Sequence, residues 1–574
     1  MSTYSSENTL FKTIDTSRGS CYNYVKLMEK EQIMANEFVS ILRKPDNDFS
    51  ATEGSAFRFE EADTKCSDIK YEYVIDEKSA KVIVYPSGSP VKFLKLRFRG
   101  DLSFVDSVYG DTWERSGTGC MLEWRTVIAS RALPWFCYLK GDDKIMCYGV
   151  KTGANCFASW FVDIHGVTLF LNLTNGNNGT DLKEPLVACE IVQLCSQAHE
   201  DAYKVAKRFS YMLCDAPALP KEPIFGVNNW YWAYGKISFD SVMSETDYLM
   251  RMCKGTKHRP YMIIDDGWQL NRTYDTGAYI GGPWIPNERF GDMEKTAESI
   301  HRRGAKAGIW FRPLLTLGNI PEEAKLERFS AGGVILDPSH PYVLERVESD
   351  AATLKSWGFD LIKHDFSTMD FFGNSSLGAE NSIVAMYKRE KAPFDKTKTN
   401  AMIIKNLYHA IQNGAGEADV IACNAIGHLC AGIHSVYRTG HDTSGRSFEW
   451  TRRYGLNTVM RLPLNDTLYR ADPDCAAFTE MVDASPNLDF LEVCALTGMT
   501  TLASVTPGIL NDEEMKRINN IFLIADKDED RYRILNYEKT SSPNTFASES
   551  GEKMRSFDWE RTYDGARIIL NWSN

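Results

Sequence analysis

Two textures of apolar and polar positions divide the chain at about residue 200. Before that point, runs such as Tyr71–Ile75, Ala80–Tyr85, Phe93–Phe98 and Val167–Leu173 are short and rich in β-branched and aromatic residues. Several alternate with period two, and Gly, Asp, Asn and Ser punctuate them, which predicts strands joined by turns. No long helical pattern interrupts them until Ala202–Phe209. The stretch reads as a large antiparallel β-sandwich. The segment Cys214–Pro223 follows, and its three prolines mark a boundary.

Past the boundary, apolar strands alternate with helix-length amphipathic stretches, the pattern of βα units and a parallel sheet. Eight strands are placed around Phe225–Trp230, Tyr261–Asp265, Ala305–Phe311, Phe359–His364, Asp419–Asn424, Ser435–Arg438, Thr467–Ala471 and Thr500–Val505. Pro341–Trp357 is the clearest helix, with Val343, Leu344, Val347, Ala351 and Leu354 on one face. The run Asp337–Pro341 supplies its cap and an early proline. Eight such units over roughly 280 residues match a (β/α)8 TIM barrel. β-like patterning returns from about residue 526, in Arg531–Tyr537 and Ala566–Trp572. The predicted organisation is a β-sandwich over 1–215, the barrel over 216–525 and a small C-terminal β-sheet over 526–574.

Length and charge change this picture little. A chain of 574 residues exceeds one ordinary core, in keeping with several domains. A net charge of -12 argues against nucleic acid or an anionic membrane as the main partner. No uninterrupted apolar stretch is long enough to span a bilayer. The N-terminus has no basic and apolar leader pattern, so a cytoplasmic location is expected, with secreted origin after removal of a leader left open. The 14 cysteines are scattered without a CxxC pair, which fits neither a zinc site nor a disulfide framework. No metal and no cofactor is expected.

Chemistry concentrates at the C-terminal ends of the predicted barrel strands, where such barrels carry their active sites. The first strand ends in Asn228-Asn229-Trp230 and the second in Asp265-Asp266-Gly267-Trp268. The third ends in Trp310-Phe311-Arg312, the fourth in Lys363-His364-Asp365, and the sixth in Arg438 followed by Asp442. Each piece has a plainer reading taken singly: a helix cap for the paired aspartates, ion pairs for Lys363 with Asp365 and Arg438 with Asp442, core packing for the tryptophans. Their joint placement on one rim favours a site. Two carboxylates in different settings, Asp365 and Asp442, are the minimum equipment of a retaining glycosidase.

These residues resemble those of the α-galactosidase clan of glycoside hydrolases, families 27 and 36. Asp265-Asp266-Gly267-Trp268 is similar to the clan's double-aspartate motif, which implies contacts to sugar hydroxyls. Lys363-His364-Asp365 resembles its Lys-x-Asp, implying that Lys363 reaches a ring hydroxyl and Asp365 is the nucleophile. Arg438-Thr-Gly-His-Asp442 resembles its Arg-x-x-x-Asp, implying Asp442 as acid/base. Gly308-Ile-Trp310 and Asp472-Pro-Asp474 echo further segments, and the large N-terminal sandwich is closer to family 36. The sequence departs from the family at Arg312, where a glutamate is usual, at Phe366-Ser367, and over Ala422–His428 around Asn424. The resemblance implies a carbohydrate substrate, a terminal α-galactoside of an oligosaccharide or glycoconjugate, and leaves room for a homo-oligomer.

On this reading Asp365 attacks the anomeric carbon and Asp442 serves as acid and then base. Lys363 is expected to hold the Asp365 carboxyl down, and desolvation to raise that of Asp442. Arg438 is expected to face the sugar and not Asp442. Trp230, Trp268 and Trp310 are expected as apolar walls, with Asn424 as a further contact. Transfer to another sugar, an N-acetylgalactosamine substrate and a non-catalytic sugar-binding relative remain alternatives. A metal-dependent hydrolase fits poorly, because the neighbours in His364-Asp365 and His441-Asp442 point to opposite faces of a strand.

Overall fold

The structure, a computed structural model, describes residues 36–52, 69–115, 124, 132–270, 281–329, 332–374, 377 and 386–559. The period-two runs of the first part form two antiparallel sheets. One orders Asn47–Thr52, Val91–Arg99, Gly166–Asn172, Phe157–Asp163 and Leu133–Pro134; the other orders Tyr71–Ile75, Ser79–Val84, Leu186–Cys195, Lys144–Val150, Phe136–Gly141 and Val105–Gly110. Their apolar faces meet as a sandwich, with Tyr148 against Trp160 at 5.7 Å and Tyr73 against Phe98 at 5.9 Å between ring centroids.

The second part is a parallel sheet that curls as in a TIM barrel. Its strands are β1 (Phe225–Asn228), β2 (Tyr261–Ile264), β3 (Lys306–Phe311), β4 (Leu361–His364), β5 (Asp419–Ala422), β6 (Val436–Arg438), β7 (Arg470–Asp472), β8 (Cys475–Phe478) and β9 (Thr501–Val505). Their spatial order is β7-β6-β5-β4-β3-β2-β1-β9-β8. The single seventh strand expected near Thr467–Ala471 is therefore corrected to two pieces. β7 pairs with β6 and β8 pairs with β9, both parallel. Pro473 lacks the N–H a ladder needs, and Asp474 has a φ of 75°, so the strand breaks between them. The helix expected over Pro341–Trp357 spans Pro341–Ser356 and buries Val343, Val347, Ala351 and Leu354, with Leu344 packed at its edge.

Side-chain parity sorts each strand into two environments. Ile263, Leu361, Ile421, Val436, Ala477 and Leu502 form an inner cluster, while Met262, Ile264, Ile362 and Val420 join the larger core under the helices. Small residues make the curl feasible. A side chain at Gly226, where φ is 145°, would place its Cβ 2.1 Å from the Tyr261 carbonyl oxygen. The last described strands, Tyr532–Ile534, Thr545–Ser548 and Met554–Ser556, form a small antiparallel sheet. The strand expected over Ala566–Trp572 lies outside the described residues. Among the described residues the cysteines are free, all buried except Cys195, and no helix is long and apolar enough to cross a membrane.

Candidate active site

Continuing the inward parity past the apolar layer yields the polar rim. Asp265, Lys363, Cys423 and Arg438 each stand two residues beyond a member of the inner cluster and Asn228 shares the parity of Ile224, and all are buried. Trp310 lies level with Lys363 across the β3–β4 ladder. The opposite parity sends His364 outward, where it accompanies Tyr408 and His434 and burial pushes it down to about 3. His364 therefore faces away from the rim.

Lys363 does not pair with Asp365 as expected from strand spacing. Its Nζ donates to Asp265 Oδ2 at 2.6 Å, because inward side chains converge across the curled sheet. Burial works against the ammonium, but Asp265, with Cys423 and Asp365 adding to it, outweighs burial and holds the pKa well above the usual lysine range. Asn228 Nδ2 donates to the same Asp265 oxygen at 2.7 Å, and the Asp266 N–H to the other at 2.9 Å. Asp266 accepts from Gln269 Nε2 at 2.6 Å. The paired aspartates are thus fixed as acceptors in a buried layer.

Asp365 is half-buried just past β4. Its Oδ1 accepts the Phe366 N–H at 2.7 Å and its Oδ2 the Trp310 Nε1–H at 3.3 Å. Phe366 has a φ of 61°, an uncommon conformation for a bulky residue that turns its N–H back onto the carboxylate. Arg312 supports that turn. Its guanidinium lies 4.2 Å from the Phe366 ring and 4.8 Å from the Phe329 ring, and its Nε and Nη2 donate to Asp370 at 2.8 and 2.5 Å. The departure at Arg312 and the departure at Phe366 are thus two halves of one buried contact.

Arg438 is corrected most. It was expected to avoid Asp442, yet its Nη2 donates to Asp442 Oδ1 at 3.0 Å. The same guanidinium is tied to Asp474, which also accepts from Tyr231 Oη and, at 2.9 Å, from the Thr443 N–H. Arg438 is held because both its neighbours along the rim are acids and its side chain is 1% exposed. Arg115, from the N-terminal domain, donates to the same Asp442 oxygen at 3.0 Å. The low-dielectric protein behind the carboxyl pushes Asp442 up although its outer side is open, but Arg115, Arg438 and His441 outweigh this and hold the carboxyl well below the usual range. The expectation of a raised Asp442 is overturned in this arrangement.

Glu114 and Arg115 escaped sequence reading altogether. They follow the strand Val105–Gly110 of the sandwich, and no local pattern marks them. Glu114 is buried, accepts from Asn424 Nδ2 and, at 3.3 Å, from the Leu377 N–H. Burial pushes its carboxyl up to about 7. Asn424 is spent on this contact and on the Met369 N–H, 3.1 Å away. Arg461 pins the segment: it donates to Asp111, to Thr112 Oγ1 at 2.6 Å, to the Glu114 carbonyl at 2.7 Å and to the Thr439 carbonyl at 2.5 Å. One buried cation thereby sets the sandwich segment against the residue after Arg438.

The tryptophans divide. Trp268 is fully buried, donates to the Trp310 carbonyl at 2.9 Å and packs with Trp284 and Trp357. Trp310 is buried and touches Asp365, whereas Trp230 is half-buried beside Tyr234. Trp268 offers no exposed wall.

No protein-family model and no curated sequence relative matches the chain. Solved structures do. The α-galactosidase from Thermus thermophilus, in complex with p-nitrophenyl α-D-galactopyranoside, is 17% identical, with a TM-score of 0.56 over 89% of this chain and 99% of that one. A family 36 α-galactosidase from Geobacillus stearothermophilus is 12% identical, with a TM-score of 0.58 over 94% of this chain and 86% of that one. A variant of the latter was solved with raffinose, at 13% identity and a TM-score of 0.57 over 84% of this chain and 71% of that one. The structural neighbours over most of the chain are family 36 α-galactosidases, and the shared property is the fold.

Proposed function

We propose that this protein is a retaining, exo-acting glycoside hydrolase that releases terminal α-D-galactose. The observation that carries the reading is the placement of Asp365 just past β4 and of Asp442 in the loop after β6, beside one buried layer of Asp265, Lys363 and Arg438. Both carboxylates lie within the electrostatic reach of Arg115 and Lys363. The neighbours' fold and the galactoside and raffinose bound by two of them support the choice of sugar.

In the first step an Asp365 oxygen forms a bond to the anomeric carbon as the glycosidic C–O bond breaks. Asp442 gives its proton to the departing oxygen. In the second, Asp442 takes a proton from water, whose oxygen displaces Asp365 and restores the configuration. Trp310 and the Phe366 N–H orient the nucleophile, and Asp265, Asp266 and Lys363 present charged hydrogen-bonding groups to ring hydroxyls. Asp365→Asn should abolish turnover of an aryl α-galactoside, and azide should rescue Asp365→Gly by forming an inverted galactosyl azide. Near wild-type turnover by Asp365→Asn would defeat the assignment.

One observation favours a second reading, a non-catalytic sugar binder: two guanidiniums hold Asp442 ionised, the wrong state for an acid. Calorimetry with galactose separates the two. Binding without turnover of any α-galactoside would support the binder.

A further inference from the structure

Asp442 carries two cations on one oxygen, and the two are not alike. Arg438 is 1% exposed and bound to Asp474 and Tyr231 as well, so it has nowhere to go. Arg115 is 11% exposed and, among the described residues, touches besides Asp442 only the weakly accepting Cys423 Sγ at 4.0 Å and Glu114 at 3.4 Å. Asp442 itself is 57% exposed on the open side of the rim. That side is where a group leaving the anomeric carbon must pass if Asp442 protonates it.

We propose that Arg115 is a positioning residue supplied by the sandwich segment, one that pairs with Asp442 in the free protein and is drawn off by the oxygens of a sugar leaving group. This rests on the reading of Asp442 as acid/base. It makes a hydroxylated leaving group, a second sugar, the preferred one. A sugar offers acceptors for the guanidinium, whereas an aryl group offers few. While Arg115 stays, Asp442 resists taking up the proton it must donate as the C–O bond breaks. Once Arg115 moves to the leaving group, only Arg438 still touches the carboxylate. The other charged or titratable groups facing Asp442 are His441 from its own loop, Lys363 from β4, Asp474 from the turn between β7 and β8, and Tyr231 after β1. Lys363 is held by Asp265, and Asp474 and Tyr231 are held by Arg438 and by each other, whereas Arg115 has only weak further contacts among the described residues.

The test compares wild type, Arg115→Gln and Arg115→Lys on raffinose, which needs a proton at the leaving oxygen, and on p-nitrophenyl α-galactoside, whose nitrophenolate leaves without one. For Arg115→Gln the basic limb of the kcat/KM–pH profile on raffinose should move up by about one pH unit. The raffinose KM should rise about tenfold or more, whereas the KM for the aryl substrate should rise less than about threefold. Arg115→Lys should recover part of the raffinose KM. An unmoved basic limb, or an equal loss on both substrates, would overturn the role of Arg115. Asp442→Asn is measured alongside. If it hydrolyses raffinose like wild type, or if wild type cleaves neither substrate, the reading of Asp442 fails, and this role of Arg115 fails with it.

Discussion

At the scale of single residues, the candidate site is governed by which buried carboxyl has a cation and which does not. Asp265 has Lys363, Asp474 has Arg438, and Asp370 has Arg312. Glu245 has none of these. It is buried on the helix Phe239–Met252, burial pushes it up to about 8, and the hydrogen bonds from Trp232 Nε1, at 2.9 Å, and from Asn229 offset only part of that. A folded-state pKa raised above the unfolded one means that the folded protein keeps a proton the unfolded chain releases. This stabilisation is complete below the unfolded pKa and is lost as pH rises through about 8. Glu245→Gln keeps the shape and removes the titration. Thermal melts should show the variant gaining on wild type between about pH 5 and about pH 8. A constant gap across that range would refute the buried neutral carboxyl.

At the scale of elements, the site depends on the curl of the sheet and on where strands stop. Gly226 lets β1 lie against β2, and with it Asn228 against Asp265. A methyl group there meets the Tyr261 backbone, which cannot rotate away. Gly226→Ala should cost about 1–3 kcal/mol or more in urea unfolding. A cost near zero would mean that the two strands have freedom to separate. The break between β7 and β8 does comparable work. By ending β7 at Asp472 it turns Asp474 into the rim, where it accepts Arg438, Tyr231 and Thr443. An unbroken strand would have passed that position as ladder.

At the scale of the whole molecule, the sandwich is part of the site because Arg461 ties it there. Arg461 and Asp111 are both buried, and removing one partner strands the other charge at a cost of about 3–5 kcal/mol. Arg461→Met should therefore destabilise strongly, and adding Asp111→Leu should recover part of the loss, since a buried pair can be replaced by apolar groups at little net cost. Denaturant unfolding of the four proteins measures the coupling. Additive losses would show that the pair does not act as a joint. Arg461→Met should also lower raffinose cleavage more than aryl cleavage, because Glu114 and Arg115 lose their anchor.

Much of this architecture was legible in the sequence because side-chain direction along a strand is a local property with period two. That period put Lys363 and Asp365 on one face and set His364 apart from Asp365, while the helix-length stretches between strands distinguished the barrel from the sandwich and put Asp265, Lys363 and Arg438 at strand ends on one rim. It could not say who pairs with whom. Lys363 and Asp365 are neighbours in sequence, but the curl of the sheet brings Lys363 to Asp265, 98 positions earlier. Arg438 meets Asp442 within one loop, yet the guanidinium that completes the arrangement comes from Arg115, 327 positions away. Pairings of this kind depend on how strands and domains close in three dimensions, and Coulomb forces between buried groups then decide each charge state. The sequence by itself determined which strand ends carry the polar residues of the rim. Only the tertiary structure decided which charges they share, because charge sharing depends on distance in space.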